Sequence, residues 1–105
     1  MHDSKGSAVG TVLIDNDRVR VTEWRFAKKG DNTGWHQHGY DYIVVPLFDG
    51  TLEIEMDDGE TIGSELRTGV PYFRPAGVRH DVISGNDFDC AFIETELLES
   101  TPDEN

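Results

Sequence analysis

The chain has 105 residues, enough for one domain with a single hydrophobic core. Its formal net charge is −12, from 21 acidic and 9 basic side chains, so nucleic acids and anionic membrane surfaces would repel it. It has neither an apolar run of about 18 residues nor a signal-peptide pattern, and its single cysteine, Cys90, cannot form an internal disulfide. We therefore expect a cytoplasmic protein that binds neither nucleic acid nor membranes.

Short strands separated by turn signals account for most of the chain. The predicted strands cover residues 12–14, 19–26, 35–48, 51–56, 60–67, 72–74, 80–84 and 88–98. Frequent glycine turns between such segments, without a long helix or an internal repeat, predict an all-β sandwich or barrel. Residues 1–10 are interpreted as a flexible N-terminus, residues 11–98 as a single domain and residues 99–105 as a flexible acidic tail. Cys90 lies in a strand-like segment, which favours a buried structural thiol.

Three of the four histidines lie in two short segments, His36-Gln37-His38 and, more than forty residues later, the segment that ends at His80. Side chains alternate along a strand, so the first two histidines would share a face, and the third could join them from a distant strand. Neutral imidazole is the commonest metal ligand in proteins. The pattern predicts a metal site, the alternative being hydrogen-bonded core histidines.

The spacing around these histidines resembles the two motifs of the cupin superfamily. The first motif, G-(x)5-H-x-H-(x)3,4-E-(x)6-G, is matched without its glutamate at Gly30, His36, His38 and Gly50. The second, G-(x)5-P-x-G-(x)2-H-(x)3-N, is matched without its asparagine at Gly69, Pro75, Gly77 and His80. The resemblance implies a single-domain cupin, which is a double-stranded β-helix or jelly-roll barrel, similar to small bacterial cupins named for β-alanine degradation. It also implies that His36, His38 and His80 are metal ligands inside the barrel.

Tyr42 follows His38 after three intervening residues, where the family places its glutamate. On an unbroken strand Tyr40 and Tyr42 would share a face with His38, whereas Asp41 would point away from the metal. Tyr42 is therefore interpreted either as a fourth metal ligand or as a phenol that hydrogen-bonds a substrate. Tyr40 is a further substrate-binding candidate because it has the same parity.

Other charged residues lie in the predicted strands. Arg74 shares parity with Tyr72 and could hold a substrate carboxylate through a bidentate contact. Arg25 and Glu94 are interpreted as exposed charges on an antiparallel sheet, which is the ordinary place for such side chains.

Three neutral imidazoles would leave the charge of a divalent ion uncompensated, so the site would favour a small polar or anionic ligand. Iron, zinc, nickel and manganese are all candidates, because the ligands do not select one metal. Two function classes follow. One is a metal-dependent enzyme, such as a dioxygenase, isomerase or lyase, and the other is a metal-containing cupin that binds a small molecule without turning it over. A homodimer is expected, since an apolar strand edge favours pairing.

Overall fold

The computed structural model describes residues 5–98, which form nine strands in two antiparallel sheets. The strands are β1 (Val9–Asp15), β2 (Val19–Phe26), β3 (His36–Gln37), β4 (Tyr42–Pro46), β5 (Gly50–Met56), β6 (Thr61–Leu66), β7 (Tyr72–Arg74), β8 (Arg79–Ser84) and β9 (Cys90–Leu97). One sheet has the order β1-β2-β9-β4-β7 and the other the order β3-β8-β5-β6. This confirms the predicted all-β fold. Residues 5–98 contain no helix, and so none that is long and apolar enough to span a membrane.

The core lies between the two sheets. Strand β4 alternates buried and half-buried positions, as expected for a strand with one face on the core. Phe26 of β2 is fully buried and its ring lies 5.7 Å from that of Phe92 on β9. From the opposite sheet Leu52 is 1% exposed. Cys90 is buried, as expected from its strand-like surroundings.

The predicted strand over residues 35–48 is wrong in one respect, because it is broken into β3 and β4. Between these strands, His38 donates its backbone N–H to Val78 at 2.9 Å and accepts one from Gly77 at 2.8 Å. The backbone here therefore bonds to the turn before β8 and does not continue one ladder. The alternation of side chains is interrupted at this point.

The first strand begins at Val9, inside the segment that the sequence assigns to a flexible terminus. Ala8 is 8% exposed, and its N–H donates to the carbonyl of Asn32 at 2.8 Å. Just before it, the hydroxyl of Ser7 donates to Asp31. The described part of this segment is thus held against the loop that leads to β3. The remainder of the predicted terminus, residues 1–4, and the predicted tail, residues 99–105, lie outside the described residues.

Strand β1 is the edge of the five-stranded sheet, and all seven of its residues are exposed. It pairs with β2 on one side, with a register shift between Val12 and Ile14. Its exposed apolar side chains are Val9, Val12, Leu13 and Ile14.

Candidate metal centre

The three motif histidines meet where β3 pairs with β8. His36 lies opposite His80 in this pairing, and His38 follows β3 by one residue. The Nε2 atom of His38 lies 3.1 Å from that of His36 and 3.2 Å from that of His80. His38 and His80 are buried and His36 is half-buried.

This arrangement fits the donor set of a metal ion. Two nitrogens bound at about 2.1 Å to one ion are roughly 3.0 to 3.4 Å apart when the angle at the ion is about 90 to 109°. The Nε2 separations of 3.1 and 3.2 Å lie in this range. The three side chains form a group whose ligand atoms all lie within 4.8 Å of one another, so they can hold an ion together.

The ring of His36 is oriented by the loop before β3. Its Nδ1–H donates to the carbonyl of Gly34 at 2.8 Å, which leaves the lone pair of Nε2 directed toward the other histidines. The N–H of Gly34 in turn donates to the buried carboxylate of Asp81 at 3.0 Å. The side-chain Nδ2 of Asn32 also donates to both carboxylate oxygens of Asp81. A carboxylate next to His80 thus fixes the loop that carries His36.

Burial favours the neutral forms of His38 and His80. Burial, reinforced by the neighbouring His36 and His80, lowers the pKa of His38 to about 3. Burial and His36 also lower the pKa of His80 to about 4. Because protonated imidazole has no lone pair to give, these shifts keep the nitrogens available as ligands.

The two tyrosines of the predicted site have different positions. The ring of Tyr42 stacks on that of His38, with centroids 3.9 Å apart and an interplanar angle of 18°. Burial, with smaller contributions from Glu94 and Tyr72, raises the pKa of Tyr42 above its usual range, so the phenol stays neutral and can donate a hydrogen bond. Tyr40 lies in the exposed loop after His38 and lines neither cavity described below, because the strand is interrupted.

Glu94 of β9 is the acidic residue that the sequence did not assign to the site. The interpretation of Glu94 as an exposed charge is wrong, since it is 8% exposed, whereas Arg25 is exposed and pairs with Glu23 and Asp89. Its carboxylate lies 3.9 Å from Nε2 of His38. Burial, and then repulsion from Glu96, raises the pKa of Glu94 to about 7, against the effect of a hydrogen bond from Trp24.

Glu94 lies beside the three-histidine cluster and not within it. Together with Glu96 it forms a second group around His38, separate from the group of His36, His38 and His80. The family glutamate is absent after His38, but a carboxylate from another strand reaches the same neighbourhood. Its signal in the sequence is parity, because Glu94 shares a face with the core residue Phe92.

Two cavities meet at the cluster. The first, of about 440 Å³, lies between the sheets and has His38, His80 and Glu94 in its wall. Its other lining residues are Tyr42, Val44, Leu52, Ile54, Met56, Ile62, Gly63, Ser64, Tyr72, Arg74, Pro75, Ala76, Val78, Val82 and Phe92. The second, of about 470 Å³, lies on the side of β1 and β2 and contains His36, His38, Glu94 and Glu96. His38 and Glu94 therefore separate two cavities.

Comparison with known proteins identifies the family to which the chain belongs. The chain is 52% identical over 90 residues to the beta-alanine degradation protein BauB of Pseudomonas aeruginosa, covering 86% of this chain and 93% of that protein. A solved cupin domain from Bordetella pertussis is 48% identical, covers 90% of this chain and 96% of its own, and has a TM-score of 0.82. The chain belongs to the cupin family.

A more distant cupin superfamily protein, from Desulfitobacterium hafniense, is 17% identical with a TM-score of 0.66, and covers 94% of this chain and 84% of its own. At that identity the likeness shows the cupin fold alone. No family model matches the sequence. This small cupin therefore has the double-stranded β-helix fold and a histidine cluster that can hold a metal ion.

Proposed function

We propose that this cupin is a metal-dependent enzyme that acts on a small anionic metabolite in the first cavity. The observation that carries the proposal is the convergence of three histidines, two of which, His38 and His80, lie in the wall of that cavity. The Nε2 atom of His38 lies 3.1 Å from that of His36 and 3.2 Å from that of His80. His36, His38 and His80 would hold a divalent iron, zinc, nickel or manganese ion. Three neutral ligands leave the ion's charge uncompensated and positions open for an anionic ligand.

The bound ion would supply Lewis acidity, which polarises an oxygen of the metabolite. The chain itself supplies a proton carrier, because Glu94 has a pKa of about 7 and lies in the cavity wall near His38. A group whose pKa is near the working pH can both accept and donate a proton. Tyr42 would hold the ring of His38 by stacking and offer its hydroxyl to the metabolite.

The name of BauB supports a metabolic setting, since that relative is described as a beta-alanine degradation protein. Degradation of an amino acid produces small carboxylates, which agree with a site that favours anions. The alternative function is a metal-containing cupin that binds such a molecule without turning it over.

Metal content measured by mass spectrometry tests the metal site. We expect about one equivalent of a divalent metal in the wild type and in Tyr42→Phe, and its loss in His36→Ala. His2→Ala is the matched control, since it removes a histidine that is outside the motifs and outside the described residues. A folded wild type that takes up no metal even after reconstitution would contradict the proposal.

Turnover is tested with the metal-loaded protein, and Glu94→Gln separates the two functions. Activity that falls by about 10²-fold or more while metal content is kept would support catalysis with Glu94 as proton carrier. Ligand binding without turnover in the wild type would instead identify a binding protein.

A further inference from the structure

Arg74 provides a cationic group at the first cavity that has no anionic partner among the residues that the structure describes. Its Nη1–H donates to the carbonyl of Phe73 at 2.9 Å, and its guanidinium lies 4.5 Å from the centre of the Tyr72 ring. It forms no salt bridge with any carboxylate of residues 5–98. In a chain with 21 acidic and 9 basic side chains, such a guanidinium is available to an external anion.

The second cavity offers a contrast. Its arginine, Arg20, is already bound to Glu96 at 3.2 Å and lies 3.7 Å from Asp15. Glu96 lines this cavity but not the first, and its charge would repel an anion. The first cavity is therefore the better anion site of the two.

The wall between Arg74 and the histidines is mainly hydrocarbon. It includes six apolar side chains from both sheets, which are Val44, Leu52, Ile54, Met56, Val82 and Phe92. Four of these, Val44, Leu52, Val82 and Phe92, are buried. A zwitterion would lose hydration of its ammonium group against such a wall, whereas a hydrocarbon chain would be stabilised there.

We infer that the ligand of the first cavity is an organic carboxylate with a hydrocarbon body, whose carboxylate binds Arg74 and whose body lies on the apolar wall. This inference rests on the proposed function, because it takes the first cavity as the ligand site. It narrows the class from small polar or anionic metabolites to carboxylates with several carbon atoms. The neutral phenol of Tyr72, on which the guanidinium stacks, is a second donor for the same carboxylate.

Calorimetric titration with straight-chain carboxylates from propanoate to octanoate tests the inference in metal-free and metal-loaded protein. We expect affinity to rise about fourfold for each added methylene until the cavity is filled. Butanoate, which has the same number of heavy atoms as β-alanine, will bind more tightly than β-alanine. Arg74→Gln will weaken octanoate binding by at least about tenfold and leave the neutral octanamide unchanged. Arg67→Gln, an exposed arginine outside both cavities, is the control and will bind as the wild type does.

Three results would overturn the inference. They are an affinity that does not depend on chain length, equal octanoate affinities of the Arg74 and Arg67 variants, and tighter binding of β-alanine than of butanoate. The titrations in metal-free protein do not depend on the metal site. Failure there with normal metal content rejects the carboxylate class, while carboxylate binding without any metal uptake rejects the proposed function.

Discussion

His38 and Glu94 lie next to each other, and burial favours the neutral form of each side chain. Nε2 of the histidine lies 3.9 Å from the carboxylate, a distance at which an ion pair would be expected on the surface. Burial lowers the pKa of His38 to about 3 and raises that of Glu94 to about 7. The loss of hydration thus outweighs the attraction between the charged forms.

These shifts predict how the stability of the metal-free protein depends on pH. Between about pH 4.5 and 6.5 the unfolded chain carries protons on His38 and His80 but none on Glu94. Of these three groups, the folded protein carries a proton only on Glu94, so their contribution to unfolding is an uptake of one net proton. The free energy of unfolding will therefore fall as pH is lowered from 6.5 to 4.5. Urea unfolding at several pH values, with a chelator present, measures this dependence.

Glu94→Gln changes the slope in a defined direction. The raised pKa of Glu94 contributes stability that is present below pH 4.5 and is lost as pH rises to about 7. Without this opposing contribution, the variant will lose stability more steeply than the wild type as pH falls. Glu65→Gln, at an exposed position, will keep the wild-type slope. Parallel slopes for the Glu94 variant and the wild type would show that the buried carboxylate does not titrate as described.

At the scale of single residues, the sequence predicted the three histidines that lie together but did not predict every polar residue beside them. The spacing of two motifs was enough to select His36, His38 and His80, which the structure brings together. Glu94 could not be selected in this way, because strand parity shows which residues share a face but not whether that face meets solvent. Its burial depends on the enclosure of the sheet face by the second sheet.

At the scale of elements, the loop of residues 31–35 positions the histidine cluster. Gly34 has φ of 93°, a conformation that costs a residue with a Cβ about 1 kcal/mol or more. Its N–H and carbonyl connect Asp81 to the ring of His36. A change in this backbone will therefore disturb the ring of His36, although its own side chain is unaltered.

Gly34→Ala tests this role against a control with the same strain. Gly59 has φ of 92° in the turn after β5, with open space where a Cβ would be. We expect both alanine variants to lose about 1 to 2 kcal/mol of stability, but only Gly34→Ala to lose metal affinity, by about tenfold or more. Metal titration of the two folded variants measures the difference. Equal affinities would assign the loop a structural role only.

The elements were predicted with uneven success. The strand at residues 19–26 was predicted with the bounds that β2 has, because five of its eight residues are β-branched or aromatic and they recur along its whole length. The break between β3 and β4 was missed, since it arises from hydrogen bonds between His38 and the turn at residues 77–78. Contacts between segments so far apart in sequence are absent from any local pattern. The exposed position of Tyr40, outside the linings of both cavities, lies in the interrupted segment.

At the scale of the whole molecule, the exposed edge at β1 predicts a homodimer. An edge strand offers unpaired backbone groups, and β1 adds four exposed apolar side chains with a single charged residue, Asp15. A second copy that pairs antiparallel along β1 would hydrogen-bond the unpaired backbone groups and cover the apolar side chains. We expect the wild type to be a dimer, and Leu13→Asp to be a monomer because it brings two carboxylates into the interface.

Light scattering over a range of concentrations measures the mass. Val70→Asp is the control, since Val70 is 58% exposed but lies in the loop between β6 and β7, away from β1. It will retain the mass of the wild type. A wild type that is monomeric at every concentration would exclude pairing along this edge.

The pairing of β3 with β8 extends over only two residue pairs, His36 with His80 and Gln37 with Arg79. An ion shared by the histidines would act as a cross-link between chain segments more than forty residues apart. Like a disulfide, it would reduce the freedom of the unfolded chain and stabilise closure of a long loop. The pairing of β3 with β8, although it is the shortest between the named strands, would then be the one that the ion stabilises directly. Removal of the ion would be expected to separate these two strands before the others.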